Sequence, residues 1–208
     1  MTQYIKIQSV FKRDTNKNII LNDFSLPEFE YLQHSKWEFT EKIDGTNIRV
    51  CHANGVTNFF GKTDDSQIPA RLVARLRAIF DPLADQLNKQ FPDGICLYAE
   101  GCGPKIQKNG ENYGDEQDII LFDVKISGLW LQRADVNDIA SKLKLRSAPV
   151  ICSGNISDMV EIVRRGFTST YGDFIAEGIV ARPKLELQDR RGQRIITKLK
   201  TRDFSSIK

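Results

Sequence analysis

The chain has no apolar run near the ~20 residues a membrane-spanning helix requires, so nothing in it reads as a transmembrane segment. Its opening, MTQYIKIQSVFKR, lacks the apolar core of a secretory signal, and the protein is read as cytoplasmic. Cysteine is sparse. Cys51, Cys96, Cys102 and Cys152 form no CxxC pair and no Cys/His zinc spacing, and are expected as reduced, partly buried thiols. There is no internal repeat, no low-complexity tract and no evident linker. At 208 residues, 40% hydrophobic and 27% charged, the chain suits one soluble domain with a proper core.

The net charge of +3 is unevenly spread. From Arg182 onward there are nine basic residues (Arg182, Lys184, Arg190, Arg191, Arg194, Lys198, Lys200, Arg202 and Lys208) against Glu186, Asp189 and Asp203. That surplus of six leaves a deficit of three on the preceding residues. A basic end on a slightly acidic body points to a polyanionic partner, either nucleotide phosphates or a nucleic-acid backbone. A solubilising basic edge strand has the same composition.

Strand-like alternation recurs over Tyr4–Phe11, Trp37–Ile43, Ile48–His52, Val56–Phe60, Ile95–Ala99, Ile119–Val124, Gly178–Ala181 and Arg194–Lys200. Helical spacing runs from Pro69 toward Phe91, with Pro82 as a kink or break, and over Arg133–Leu143 and Ser157–Arg165. This pattern favours an α+β fold of antiparallel sheets flanked by helices over a doubly wound one. Gly101–Asp118 reads as a long polar loop of the kind that carries function.

The most informative stretch is Glu41-Lys42-Ile43-Asp44-Gly45-Thr46-Asn47. Asp-Gly predicts a tight turn in which the Trp37–Ile43 strand doubles back, leaving Lys42 at a strand end. A lysine so placed can be a nucleophile where neighbouring charge exposes its neutral amine. Alone, K-x-D-G is also an ordinary surface hairpin. Further along, Glu100 ends an apolar strand, where a carboxylate suits a ribose hydroxyl. Phe122 can stack on a base or pack in a core. Glu177 precedes another apolar strand and can hold a hydrated magnesium or orient an amine. Lys198 and Lys200 alternate along a strand, so both ammonium groups share a face and favour an anion between them.

The ordered set KIDGTN, AEG, LFDV, EGIV and KLK resembles motifs I, III, IIIa, IV and V of the covalent nucleotidyltransferases, the polynucleotide ligases and RNA capping enzymes. Asn47, and the Gly101-Cys102-Gly103-Pro104 segment, resemble the phage RNA ligase 2 branch, which includes the RNA-editing ligases. The resemblance implies a nucleotidyltransferase (ATP-grasp-like adenylation) domain over residues 1–208, without an appended C-terminal domain. It implies an ATP-dependent RNA ligase that forms lysyl-AMP at Lys42, with Mg²⁺ or Mn²⁺, and seals 5′-phosphate and 3′-hydroxyl RNA ends. Glu41 would lie beside the adenine through its backbone, and Asn47 would contact ribose or phosphate. Glu100 would bind ribose, Phe122 would stack on adenine, Glu177 would organise the metal, and Lys198 and Lys200 would hold the α-phosphate. Lys62 stands where the family usually has an arginine, keeping the charge without the bidentate fork. A monomer acting on nicked duplex RNA is expected. The alternatives are a DNA-nick ligase, a capping guanylyltransferase, and a non-catalytic nucleic-acid-binding relative.

Overall fold

The protein is described by a computed structural model over residues 3–205, so Lys208 of the basic end lies outside the described residues. Three short strands open the chain, β1 (Gln8–Ser9), β2 (Phe11–Arg13) and β3 (Ile19–Phe24), followed by a helical turn, α1 (Pro27–Tyr31). Next come β4 (Trp37–Glu41), β5 (Thr46–Ala53) and β6 (Val56–Phe60). The predicted long helix is split into α2 (Ala70–Phe80) and α3 (Ala84–Gln90) by a 3₁₀ turn over Asp81–Leu83. Pro82 is the cause, since it offers no amide hydrogen to continue the ladder. β7 (Ile95–Cys102), β8 (Asp118–Ile126), β9 (Leu129–Trp130), α4 (Arg133–Lys142), β10 (Arg146–Ser147) and β11 (Val150–Gly154) follow. The last elements are α5 (Ile156–Arg165), β12 (Gly178–Pro183) and β13 (Thr197–Lys200). The fold is α+β with mainly antiparallel sheets, as expected.

Two compact units share the chain: Asp44–Ala148 with the segment ending at Tyr4, and Ile5–Ile43 with the segment beginning at Pro149. In the first, strands run in the order β10-β8-β7-β5-β6, with β9 beside β8; only the β10–β8 pair is parallel. Ile48 and Val50 of β5, Leu97 and Ala99 of β7, and Leu121 of β8 turn one face inward. Leu72, Leu76, Phe80, Leu87, Val136 and Ile139 from the helices cover it. Each such side chain adds roughly 1.5–3 kcal/mol when fully buried.

On the other face, directly opposed Cys51 and Cys96, with Cα atoms 4.2 Å apart, are joined as a disulfide. Cross-strand register brings their side chains together, a pairing that residue spacing did not disclose. Only Cys102 and Cys152 are free, which corrects the expectation of four thiols.

The second unit carries the sheet β1-β13-β12-β4-β11, in which only β1–β13 is parallel, and the separate β2–β3 pair. Trp37 and Phe39 of β4, Ile179 and Ala181 of β12, and Leu199 of β13 are buried against Ile156, Met159, Val160 and Val163 of α5. That helix begins at Ile156, one residue before the predicted Ser157 start, and is capped by Asn155. The Asn155 side chain accepts from the Asp158 amide at 3.0 Å, and the Asp158 carboxylate accepts from the Asn155 amide at 2.8 Å. Arg164, Arg165 and then Gly166 complete its C-terminal end.

The Asp44-Gly45 hairpin is corrected. β4 pairs with β11 and β12, β5 pairs with β6 and β7, and β4 and β5 do not pair with each other. Gly45 does not adopt a positive φ. Its need for glycine is close approach: a Cβ there would lie 2.2 Å from the Gly101 carbonyl oxygen and 2.8 Å from the Glu100 Cγ. The long loop also grips this segment. The Asp44 amide donates to the Tyr113 hydroxyl at 3.1 Å, and the Gln107 amide group donates to the Gly45 carbonyl at 3.2 Å. Gly45→Ala should therefore destabilise the fold by about 2 kcal/mol, lowering Tm by roughly 4–8 °C. Thermal unfolding of the two proteins is the check, and an unchanged Tm would show that β7 can yield.

Candidate active site

The chemistry-bearing residues of the second unit sit on the sheet face opposite its core. Alternation along β4 turns Trp37, Phe39 and Glu41 inward, so Thr40 and Lys42 point the other way. On β13, Leu199 is buried, and Lys198 and Lys200 take the opposite face. Register aligns them: Gly178 of β12 opposes Lys200, and the Lys42 amide donates to the Gly178 carbonyl at 2.9 Å. Glu177 enters this face just before β12. One carboxylate oxygen accepts from the Lys42 Nζ at 2.6 Å, and the other accepts from the Lys200 Nζ at 2.6 Å. The Lys42 Nζ also donates to the Ile43 carbonyl at 3.2 Å.

These three side chains are 18%, 14% and 19% exposed for Lys42, Glu177 and Lys200, so they are neither free in water nor sealed in the core. One carboxylate between two ammonium groups relieves their repulsion and leaves a net positive charge. Such a site favours an incoming anion. Gly178 makes the approach possible. Its φ is +152°, and a Cβ would lie 2.1 Å from the Leu199 carbonyl oxygen.

The Glu41 side chain faces away from this group. It is 1% exposed, and its carboxylate accepts from the Ser169 hydroxyl and, at 3.0 Å each, from the Thr170 amide and hydroxyl. It ties the end of β4, next to Lys42, to the turn that precedes Glu177. Asp203 does similar work at the other end. It accepts from the Lys200 amide at 3.1 Å and from the Arg13 guanidinium at 2.9 Å through both oxygens. Sequence reading missed Asp203, Arg13, Ser169 and Thr170. For Asp203 a local signal existed, an acidic residue three positions past the last motif lysine.

In the first unit, the face opposite its helices carries the remaining expected residues. Asn47 on β5 directly opposes Glu100 on β7, and Arg49 opposes Tyr98 two steps on. The bulge between β7 and β8 falls at Phe122, with Tyr98 opposing Asp123 and Ala99 opposing Leu121. Phe122 is half-buried, edge-on to Tyr4 at 5.0 Å, in a cluster with Tyr98 and Trp130. Lys62 follows β6 and is exposed.

Arg49, which the sequence did not single out, is fully buried and fixes the segment around Lys62. Its Nε donates to the Gly61 carbonyl at 3.0 Å, and a terminal nitrogen donates to Asp64 at 2.7 Å. The hydrogen bond from Arg49 holds the Asp64 carboxyl below the usual carboxylate range. The structure thus brings Lys42, Glu177 and Lys200 into direct contact, and sets Asn47, Glu100 and Phe122 on one sheet face of the first unit.

Burial pushes the Cys102 thiol up to about 11, against the opposing Arg146 guanidinium. At pH 8 only about 0.1% of such a group is thiolate, so iodoacetamide should modify half-buried Cys152 well before Cys102 in the native protein. A raised folded pKa contributes stability that is full below the ordinary thiol range and fades as pH climbs through about 11. Peptide mapping after labelling from pH 7 to 10 is the check. Equal labelling of both thiols at pH 8 would contradict the burial of Cys102.

The family model described as RNA ligase matches residues 35–200. No curated protein matches the chain by sequence. Among solved structures, the RNA ligase of Naegleria gruberi with PPi superposes with a TM-score of 0.69 at 16% identity, over 98% of this chain and 57% of that one. A lysine-to-alanine variant of that ligase with ATP and Mn gives 0.66 at 16% identity, over 86% and 52%. A lysine-to-methionine variant with AMP and Mn gives 0.64 at 15% identity, over 97% and 58%. At these identities the likeness is one of fold, and the chain spans somewhat more than half the length of the ligase it matches. The family model covers most of the sequence, including Lys42, Glu177 and Lys200, and the chain belongs to the RNA ligase family.

Proposed function

We propose that the chain carries out ATP-dependent adenylyl transfer for RNA end joining, with Lys42 as the covalent nucleophile. The observation that carries this reading is the single carboxylate of Glu177 held at 2.6 Å by both Lys42 and Lys200. The Lys42 Nζ must leave Glu177 and lose a proton before it attacks, and the Glu177 oxygen beside it is placed to accept that proton. Attack on the α-phosphate of ATP forms the N–P bond of lysyl-AMP and breaks the bond to pyrophosphate, which departs with the electron pair. Lys200 and Lys198, on the same face, neutralise charge as it grows on the phosphates. The AMP then passes to an RNA 5′-phosphate, and a 3′-hydroxyl displaces it to form the phosphodiester. Asn47, Glu100 and Phe122 are assigned to the ribose and adenine, Lys62 to phosphate, and the Glu41 backbone to the adenine edge.

The acidic donors fit a divalent ion of one kind. Among the described residues there is no group of three or more metal-ligating side chains, and Glu177 is the carboxylate at Lys42. One carboxylate suits a hydrated magnesium or manganese ion that takes its other ligands from phosphate and water. Bound there, the ion would screen the charge of the triphosphate. Among the described residues no helix is long and apolar enough to cross a membrane, and we assign the protein to the cytoplasm as a monomer acting on nicked duplex RNA. A nick suits this chemistry, since the duplex itself holds the 3′-hydroxyl against the activated phosphate.

Intact-protein mass spectrometry with ATP and Mg²⁺ should show one added AMP, absent in Lys42→Ala. Lys200→Ala should slow AMP attachment about a hundredfold, the usual loss for a transition-state charge contact. An adduct that persists in Lys42→Ala would overturn the assignment of the nucleophile.

A further inference from the structure

The second unit has a groove of about 410 Å³ that the adenylyl-transfer chemistry does not use. Its rim is cationic, with Lys6, Arg190 and Arg191 exposed, and its floor is apolar, with Phe29 and Ile196 buried. The two arginines stand at the tip of a built hairpin. The Ile195 amide donates to the Leu187 carbonyl at 2.9 Å, and the Asp189 amide donates to the Gln193 carbonyl at 2.7 Å. At the tip, the Asp189 carboxylate accepts from the Arg191 and Gln193 amides at 2.8 Å each, and Gly192 takes a φ of +74°. Asp189 is therefore committed to shaping the turn. Arg194 is committed as well. It is buried and paired with both oxygens of Glu186, one at 2.8 Å, and so anchors the hairpin while Arg190 and Arg191 reach solvent. Half-buried Glu28 is the remaining acidic group on the lining.

We infer that this groove binds the phosphodiester backbone of the RNA substrate, away from the joined ends; the inference rests on the ligase reading above. Two exposed guanidinium groups and an ammonium around a cleft of nucleotide size match a sugar–phosphate chain better than an apolar ligand. Placement agrees. The groove lies off the start of β13, where Ile196 is four residues from Lys200, about 13 Å along an extended strand. That span is covered by a few nucleotides of a polynucleotide strand. An RNA end at Lys200 would then bring phosphates a few nucleotides away to the arginine tip.

The test is fluorescence anisotropy of the whole chain with a labelled nicked RNA duplex, titrated in salt, for wild type, R190A/R191A and R190E/R191E. Both residues are exposed, and matching melting curves confirm that the variants are folded. The alanine pair should weaken RNA binding about tenfold at moderate salt and flatten the log–log salt slope by about 2, with a larger loss for the glutamate pair. AMP attachment from ATP, followed by mass, should be unchanged in both variants. Unchanged RNA affinity and slope would overturn the proposal, as would loss of AMP attachment in step with RNA binding. Competition by millimolar ATP for the groove in an unadenylylated Lys42→Ala background would also overturn it, assigning a free nucleotide instead. If wild type shows no AMP adduct yet the variants lose RNA affinity, the adenylyl-transfer reading fails and the groove assignment stands.

Discussion

The carboxylate of Glu177, shared between two lysines, is the interaction on which the second unit's architecture converges. Two ammonium groups on either side of β12 repel, and at about one-fifth exposure water screens them only partly. Holding them together requires the carboxylate to reach both, which fixes the register of β12 against β13 and of Lys42 against Gly178. It also requires the absence of a side chain at position 178, where even a methyl group would strike the Leu199 carbonyl. The flanking anchors follow the same need. Glu41 pins the strand before Lys42 to Ser169 and Thr170, and Asp203 pins the end of β13 to Arg13.

What was legible in the sequence was whatever alternation and local order encode. Lys42 and Glu177 lie at strand ends, and Lys198 and Lys200 alternate along β13, so the strand-end positions and the shared face of the two later lysines could be read. The break at Pro82 was legible for the same local reason, a missing amide. Asp44-Gly45 was misread because the same dipeptide serves two purposes. Here the glycine admits the backbone of β7, and that need comes from residues 101 and 100, which turn chemistry does not register. The short strands β3, β9, β10 and β11 and the turn of α1 escaped notice because pieces of two to six residues carry too little periodicity. Arg49 and the Cys51–Cys96 pair were missed because their partners lie 12 to 45 positions away.

The basic C-terminal stretch reads differently once its side chains are placed. As a sequence it is one polyanion signal. In the structure its charges divide by burial. Arg182 and Arg194 are buried, and Arg194 is matched by Glu186, so neither is part of an exposed basic surface. This removes Arg194 from the RNA-contacting set that charge counting alone would include. Lys198 and Lys200 face the reacting phosphates in the proposed chemistry, and Arg190 and Arg191 crown the hairpin. A charge count over a segment thus overstates the footprint available to nucleic acid, because a buried, paired guanidinium has already spent its donors.

Under the proposed chemistry, the same charge balance suits transfer rather than tight storage of a nucleotide. With one carboxylate for two ammonium groups, the cluster is short of negative charge until an anion arrives. In the proposed reaction a triphosphate would supply it, and Lys200 would then have phosphate oxygens as alternative acceptors to Glu177. Each partner Lys200 gives up leaves Glu177 freer to draw a proton from Lys42, so substrate binding and release of the nucleophile are coupled through one side chain. In the proposed reaction, departure of pyrophosphate would leave Lys42 as a neutral phosphoramidate, so Glu177 would then face the Lys200 ammonium alone. In that proposed cycle the Lys200 ammonium would be satisfied by Glu177 in one state and by phosphate in the other. Neither state then leaves a like-charged pair uncompensated on the sheet.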